Sequence, residues 1–166
     1  TYALESLQES AEREGIVVIG VIKPGAKHAV QSTKNGHIGV LGTEGTIRGQ
    51  KYQQEIKRLD SSIRITGKPC PLFVPLVEEG WHEDPVTMQV AQRYLQSFAD
   101  GPDTIILGCT HYPMLKSILK KVLPNVTFID SATATALESK EILGQKGMLK
   151  NTNKRQFHFL VTDNME

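Results

Sequence analysis

The sequence predicts an α/β protein, a three-layer sandwich whose mostly parallel sheet carries helices on both faces. Three observations predict it. Short apolar runs recur, as in HIGVLGT (37–43), TIILG (104–108) and VTFID (126–130). Between them lie stretches whose apolar residues repeat at helical spacing. The two patterns alternate along the chain, the order that yields parallel strands joined by crossover helices.

Each element has its own signal. Ala3, Leu4, Leu7 and Ala11 mark one helix face, and Gly15 closes that helix. The run IVVIGVI (16–22) reads as a strand covered on both faces, broken by Lys23-Pro24-Gly25. A short helix is expected over AKHAVQST (26–33), then the strand 37–43. Ile47, Tyr52, Ile56 and Leu59 lie on one face of the helix that follows. IRITGK (63–68) is strand-like, and PLFVPLVEEG (71–80) is a short apolar element punctuated by Pro75. Asp84-Pro85 starts a helix with Val86, Val90, Tyr94, Leu95 and Phe98 on its apolar face. PMLKSILKKVL (113–123) reads as a helix after TIILG, and SATATALESKEILGQKG as an amphipathic helix after VTFID. QFHFLVT (156–162) alternates like a strand.

Composition removes several function classes. Apolar residues make up 39 % and charged residues 22 %, a globular balance. The formal charge of +1 gives no footprint for nucleic acid or an acidic membrane. The basic tract from Lys146 to Arg155 lacks interleaved aromatics and reads as a solvated loop. No apolar run is long enough to span a bilayer, and no leader pattern opens the chain, so a cytoplasmic location is expected. Two cysteines, Cys70 and Cys109, provide neither a disulfide framework nor CxxC spacing, so no metal is expected.

Strand ends carry the chemistry in parallel sheets. Three predicted strand ends run into reactive or small polar residues: GTEGT, PLVEEG and GCTH. Cys109 sits between a glycine and Thr110-His111, just before a helix start, where backbone amides favour a thiolate. His111 is placed to take a proton from it or to orient it. The plain alternative is a small buried hydrophobe, the usual fate of a free cysteine. Thr43 and Thr46 are placed either to hold a carboxylate or simply to cap the following helix. In LVEEGWHED (76–84), Glu78 directly follows an apolar run and is expected to point inward. Its acidic neighbours read as an exposed turn. Cys70 reads as a packing residue.

The segments GVLGTEGTI (39–47), CPLFVPLVEEG (70–80) and LGCTHYP (107–113), in that order, resemble the glutamate racemase family of the aspartate/glutamate racemase superfamily. GVIKPGA (20–26) and FIDSATATA (128–136) extend the resemblance along the chain. It implies a cofactor-independent isomerase that interconverts L- and D-glutamate for bacterial peptidoglycan and is thereby tied to cell shape. Two cysteines on opposite faces of the α-carbon do this work in the family. Cys109 matches the one that acts on L-glutamate, and His111 and Glu78 match residues that assist it. Thr43, Thr46 and Thr110 match positions that contact the substrate. The resemblance leaves a homodimer open.

The chain also departs from the family pattern. The Asp-Ser-Gly strand end and the Ala-Cys-Asn-Thr-Ala segment with the first cysteine are not in it. It opens at Thr1 inside a helical pattern and stops at Glu166, as a piece of a longer polypeptide would. Residues 1–20 are therefore expected to be a remnant of a first racemase domain, 21–131 a complete second domain, and 132–166 a return segment to the first. With one of two bases, the chain is expected not to racemise glutamate alone. Other readings are an aspartate or hydantoin racemase, a carboxylate-binding domain without catalysis, and a hydrolase using Cys109 and His111. Against the hydrolase, two residues so close on one turn are not expected to bring their side chains together.

Overall fold

A computed structural model of the chain describes residues 4–98, 101–150, 156 and 158. Four parallel strands form one sheet in the order β2-β1-β3-β4. They are β1 (His37–Gly42), β2 (Arg64–Pro69), β3 (Thr104–Leu107) and β4 (Thr127–Asp130). β1 and β3 are the inner pair, with Leu41 opposite Leu107. Both are fully buried along their length, as their unbroken apolar runs require.

Side-chain alternation divides the core in two. Leu41, Ile105, Leu107 and Phe128 enter one layer with Phe73, Leu95 and Tyr112. Ile38, Val40, Ile106 and Ile129 enter the other with Ala26, Ala29, Tyr52 and Ile56. The period of two along each strand sends neighbours to opposite faces. Helices α5 (Phe73–Glu78), α6 (Pro85–Leu95) and α7 (Lys116–Val122) cover the first face. The second is covered by α2 (Ile22–Ser32) and α4 (Lys51–Leu59), with α8 (Ser131–Gln145) packed on α2.

Several sequence expectations change. Residues 16–20 form no strand: they are irregular, with Ile16 and Val17 about half exposed. A strand needs a partner ladder, and this run pairs with neither edge of the sheet. The Val18 carbonyl instead accepts from Gln8 Nε2 at 2.9 Å. Lys23-Pro24-Gly25 does not break the chain but lies in the first turn of α2. There the N–H that proline lacks has no intrahelical partner to lose. The helix expected after β1 is two helices, α3 (Glu44–Arg48) and α4, because Gln50 adopts left-handed φ (52°) between them. The element 71–80 is the short helix α5. The run after β3 begins as a 3-10 turn (Tyr112–Leu115) and becomes α-helical only at Lys116. α8 buries only Ala134, so it is scarcely amphipathic. α1 (Leu4–Arg13) ends where expected, with Gly15 at φ 72°. The expected strand 156–162 lies outside the described residues, apart from Gln156 and His158.

Candidate active site

The strand order fixes where a ligand can sit. The chain moves from β1 outward to β2, then returns across β1 to β3 on its other side. The connections leaving β1 and β3 therefore diverge, and a crevice opens at their carboxyl ends. GTEGT leaves β1 there and GCTH leaves β3. PLVEEG is not a strand end: it follows β2 on the same edge as the end of α5 and the two residues after it.

Three side chains from two of these segments form a line. Cys109 Sγ lies 3.9 Å from His111 Nδ1. His111 Nε2 lies 3.3 Å from Glu78 Oε1. A neutral imidazole that gives its Nε2 proton to Glu78 leaves Nδ1 as an acceptor for the thiol. The expectation that residues 109 and 111 would not meet is thus overturned. The tight turn after Leu107 folds both side chains to one side, with Tyr112 N–H donating to the Cys109 carbonyl at 3.2 Å. Glu78 does not point inward as expected: its side chain is 63 % exposed and reaches His111 along the surface. It is the last residue of α5, so the helix turns it away from the core that Phe73 and Val77 fill.

Tyr112 explains why the two loops are in register. Its hydroxyl donates to the Cys70 carbonyl at 2.9 Å, tying the β3 exit to the β2 exit. Its ring stands edge-on to Phe73, with centroids 5.2 Å apart. Such a pair adds about 1 kcal/mol beyond its buried area. Cys70 itself is fully buried, and burial pushes its thiol up to about 12. It is an inert packing residue. Cys109 is half-buried, and both thiols are free.

Thr43 caps α3, accepting from the Thr46 amide at 3.2 Å, and the two hydroxyls lie 3.0 Å apart. The methyl of Thr46 lies against both Gly42 and Gly108, so this pair is beside the Cys109 turn. Thr110 is exposed, with its hydroxyl 3.4 Å from His111 Nδ1. The acidic turn 78–84 disperses: Glu83 pairs with Lys121 at 3.2 Å, and Asp84 caps α6 through the Val86 amide. Among the described residues no three His, Cys, Asp or Glu side chains are placed to hold a metal ion. No helix among them is long and apolar enough to cross a membrane.

Sequence reasoning missed two residues. The Tyr52 hydroxyl lies 2.8 Å from Ser131 Oγ, which donates to the Leu107 carbonyl at 3.3 Å. Both line a small cavity of about 150 Å³ with Gly108, Cys109 and Thr110. Ser131 follows β4 as a small polar residue at a strand end, the same signal carried by GTEGT and GCTH.

Comparison with known proteins shows the family. The chain is 50 % identical over 142 residues to the glutamate racemase of Persephonella marina, covering 85 % of this chain and 53 % of that protein. Against the glutamate racemase of Geobacter metallireducens it is 43 % identical over 164 residues, 97 % of this chain and 60 % of that one. The crystal structure of glutamate racemase isoform RacE1 from Bacillus anthracis superposes with TM-score 0.81 at 40 % identity, over 90 % of this chain and 57 % of the other. That of Francisella tularensis, in complex with D-glutamate, gives 0.80 at 32 %, over 90 % and 55 %. The chain thus spans between half and three-fifths of the length of these relatives. The profile of the Asp/Glu/Hydantoin racemase family matches residues 1–138, and the chain belongs to that family.

Proposed function

We propose that this chain carries one catalytic half of a glutamate racemase, the half that removes the α-hydrogen of L-glutamate. The observation that carries the reading is the line Cys109–His111–Glu78 at the crevice between β1 and β3. The Cys109 thiolate takes the α-proton, forming S–H as C–H breaks. The electron pair passes into the adjacent carboxylate, which gains negative charge. Donors placed around that carboxylate stabilise the charge as it develops. Thr110, Thr43 and Thr46 supply hydroxyls on the same edge of the sheet. His111, oriented by Glu78, takes the thiol proton that makes the thiolate, a role worth ~10²–10⁴-fold in rate. The reading calls for no cofactor. Relatives named glutamate racemase, and a neighbour crystallised with D-glutamate, favour glutamate over aspartate or a hydantoin. It places the protein in the bacterial cytoplasm, supplying D-glutamate for peptidoglycan.

Racemisation needs a second acid on the opposite face of the α-carbon. Cys70, the other cysteine of these 166 residues, is sealed in the core and does not serve. We also propose that residues 1–20 and 132–166 belong to a first domain, and 21–131 to a second. An apolar groove of about 410 Å³ supports this, lined by Ile16, Val17 and Ile19 from one segment and Ile142, Leu143 and Met148 from the other.

Incubation of the chain with L-glutamate in heavy water tests the function. Proton NMR is expected to show loss of the α-hydrogen signal with retained L configuration, abolished by Cys109→Ser. Robust D-glutamate formation would overturn the one-base assignment. Exchange on L-aspartate but not L-glutamate would overturn the substrate.

One observation favours a second reading. Cys109, His111 and Glu78 also have the order of a nucleophile, its base and an orienting carboxylate. Acyl-enzyme formation on Cys109 with a thioester, competed by substrate, would favour a hydrolase.

A further inference from the structure

We propose that Tyr52 and Ser131 act as one positioning unit, a hydroxyl relay that sets the height of the Gly108–Cys109 turn. The idea rests on the proposed role of Cys109 only for its use, not for its geometry. Ser131 gives its proton to the Leu107 carbonyl, two residues before the cysteine. Its oxygen is then free to accept from the Tyr52 hydroxyl at 2.8 Å. The relay thus runs from Tyr52 through Ser131 to the last residue of β3.

The tyrosine ring is also the floor of the turn. Tyr52 is 2 % exposed. A methyl added at Gly108 would lie 3.1 Å from its Cε2, and one added at Gly25 would lie 3.3 Å from its Cε1. One ring is therefore wedged between the start of α2 and the cysteine turn, while its hydroxyl reaches the start of α8. Three elements that arrive from distant parts of the sequence meet on two side chains. Loss of the Ser131 hydroxyl frees the Leu107 carbonyl, and loss of the Tyr52 hydroxyl leaves the Ser131 side chain that holds it fixed from one side fewer. A hydrogen-bonded chain of this kind responds as a unit.

The consequence is geometric. Proton removal from carbon is sensitive to misplacement of the base by about an ångström. The 3.9 Å contact between Cys109 and His111 depends on where the turn sits. With the relay broken, the start of the turn at Leu107 is no longer held, Cys109 shifts relative to His111 within the turn, and the thiolate loses its neighbour.

The test is alkylation of Cys109 by iodoacetamide across pH, on the 166-residue chain, with thermal unfolding measured alongside. Tyr52→Phe keeps the ring and removes the hydroxyl. Ser131→Ala removes the other, and Ser131→Thr restores it. We expect Tyr52→Phe and Ser131→Ala to raise the alkylation midpoint by about half a pH unit or more. The double variant should shift no further than either single one, since coupled residues are not additive. Ser131→Thr should return the midpoint toward the parent. A midpoint unchanged in both single variants, or single shifts that add in the double variant, would overturn the proposal. If Tyr52→Phe does not fold, Ser131→Ala and Ser131→Thr decide the same question. Alkylation needs no substrate, so failure of the glutamate assignment in heavy water leaves this result standing, and the reverse.

Discussion

Glu78 Oε1 lies 3.3 Å from Nε2 of His111, although the two residues sit 33 positions apart, one at the end of α5 and the other on the turn leaving β3. Tyr112 closes that distance by binding the Cys70 carbonyl and packing on Phe73, so the histidine is carried to the end of α5. Because the Glu78 side chain is 63 % exposed, the pair is solvated, and its direct energy is of the order of 1 kcal/mol or less.

Substituting the two partners should therefore separate proton transfer from orientation. His111→Asn is expected to slow α-hydrogen exchange of L-glutamate by about 10²-fold or more, the scale of a lost acid–base group. Glu78→Gln is expected to cost less, about fivefold, the equivalent of about 1 kcal/mol. Exchange rates from proton NMR in heavy water check both. Equal losses would make Glu78 more than an orienting group.

The two thiols should differ sharply. Cys109 is half-buried beside His111, whereas Cys70 is fully buried, with its thiol pushed up to about 12. At neutral pH, native protein is expected to take up one equivalent of iodoacetamide at Cys109, and urea-unfolded protein two. Peptide mapping by mass spectrometry reads the site. Comparable labelling of Cys70 in the native state would contradict the assignment of its place in the core.

Gly108 tests the packing under the turn. A methyl there would lie 2.9 Å from the Leu41 carbonyl oxygen and 3.1 Å from the Tyr52 ring. Gly108→Ala should cost about 1–3 kcal/mol, the range for overpacking. Gly45→Ala is the control, because its methyl would meet only Thr43 Oγ1 at 3.8 Å. Urea midpoints compare them, and Gly45→Ala is expected to lie within about 0.5 kcal/mol of the parent.

Acid should weaken the fold at the sheet edge opposite the crevice. His37 Nδ1 accepts from Arg64 at 2.7 Å while Nε2 meets Thr66 at 2.8 Å, an arrangement that needs the neutral ring. Burial, and then the Arg64 charge, lower its pKa below the ordinary 6.5. Its contribution is full above pH 6.5 and declines as pH falls below that value, where the unfolded chain binds the proton first. Burial alone would raise Asp103, but hydrogen bonds from Thr33 and the Lys34 and Asn35 amides outweigh it and hold the carboxyl below 3.8. Its contribution is full above pH 3.8 and is lost as pH falls further. His37→Gln should flatten urea stability just below pH 6.5, and Asp103→Asn below 3.8. A His37→Gln curve parallel to the parent in that window would count against the neutral-ring assignment.

The apolar runs at 37–42 and 104–107 determined a parallel sheet, because unbroken burial on both faces is written in residue type alone. The same sequence marked Cys109, His111, Thr43 and Thr46 as strand-end chemistry, since small polar and nucleophilic residues there interrupt an otherwise apolar pattern. Local pattern misled at 16–20, where a strand-like run finds no partner ladder among the described residues, and at Gln50, where a backbone turn splits a periodic helix. Only the tertiary structure decided that Glu78 faces His111 from the surface and that Tyr52 reaches Ser131. Those contacts join residues 33 and 79 positions apart, and the strand order, which no local spacing encodes, brings them to one edge.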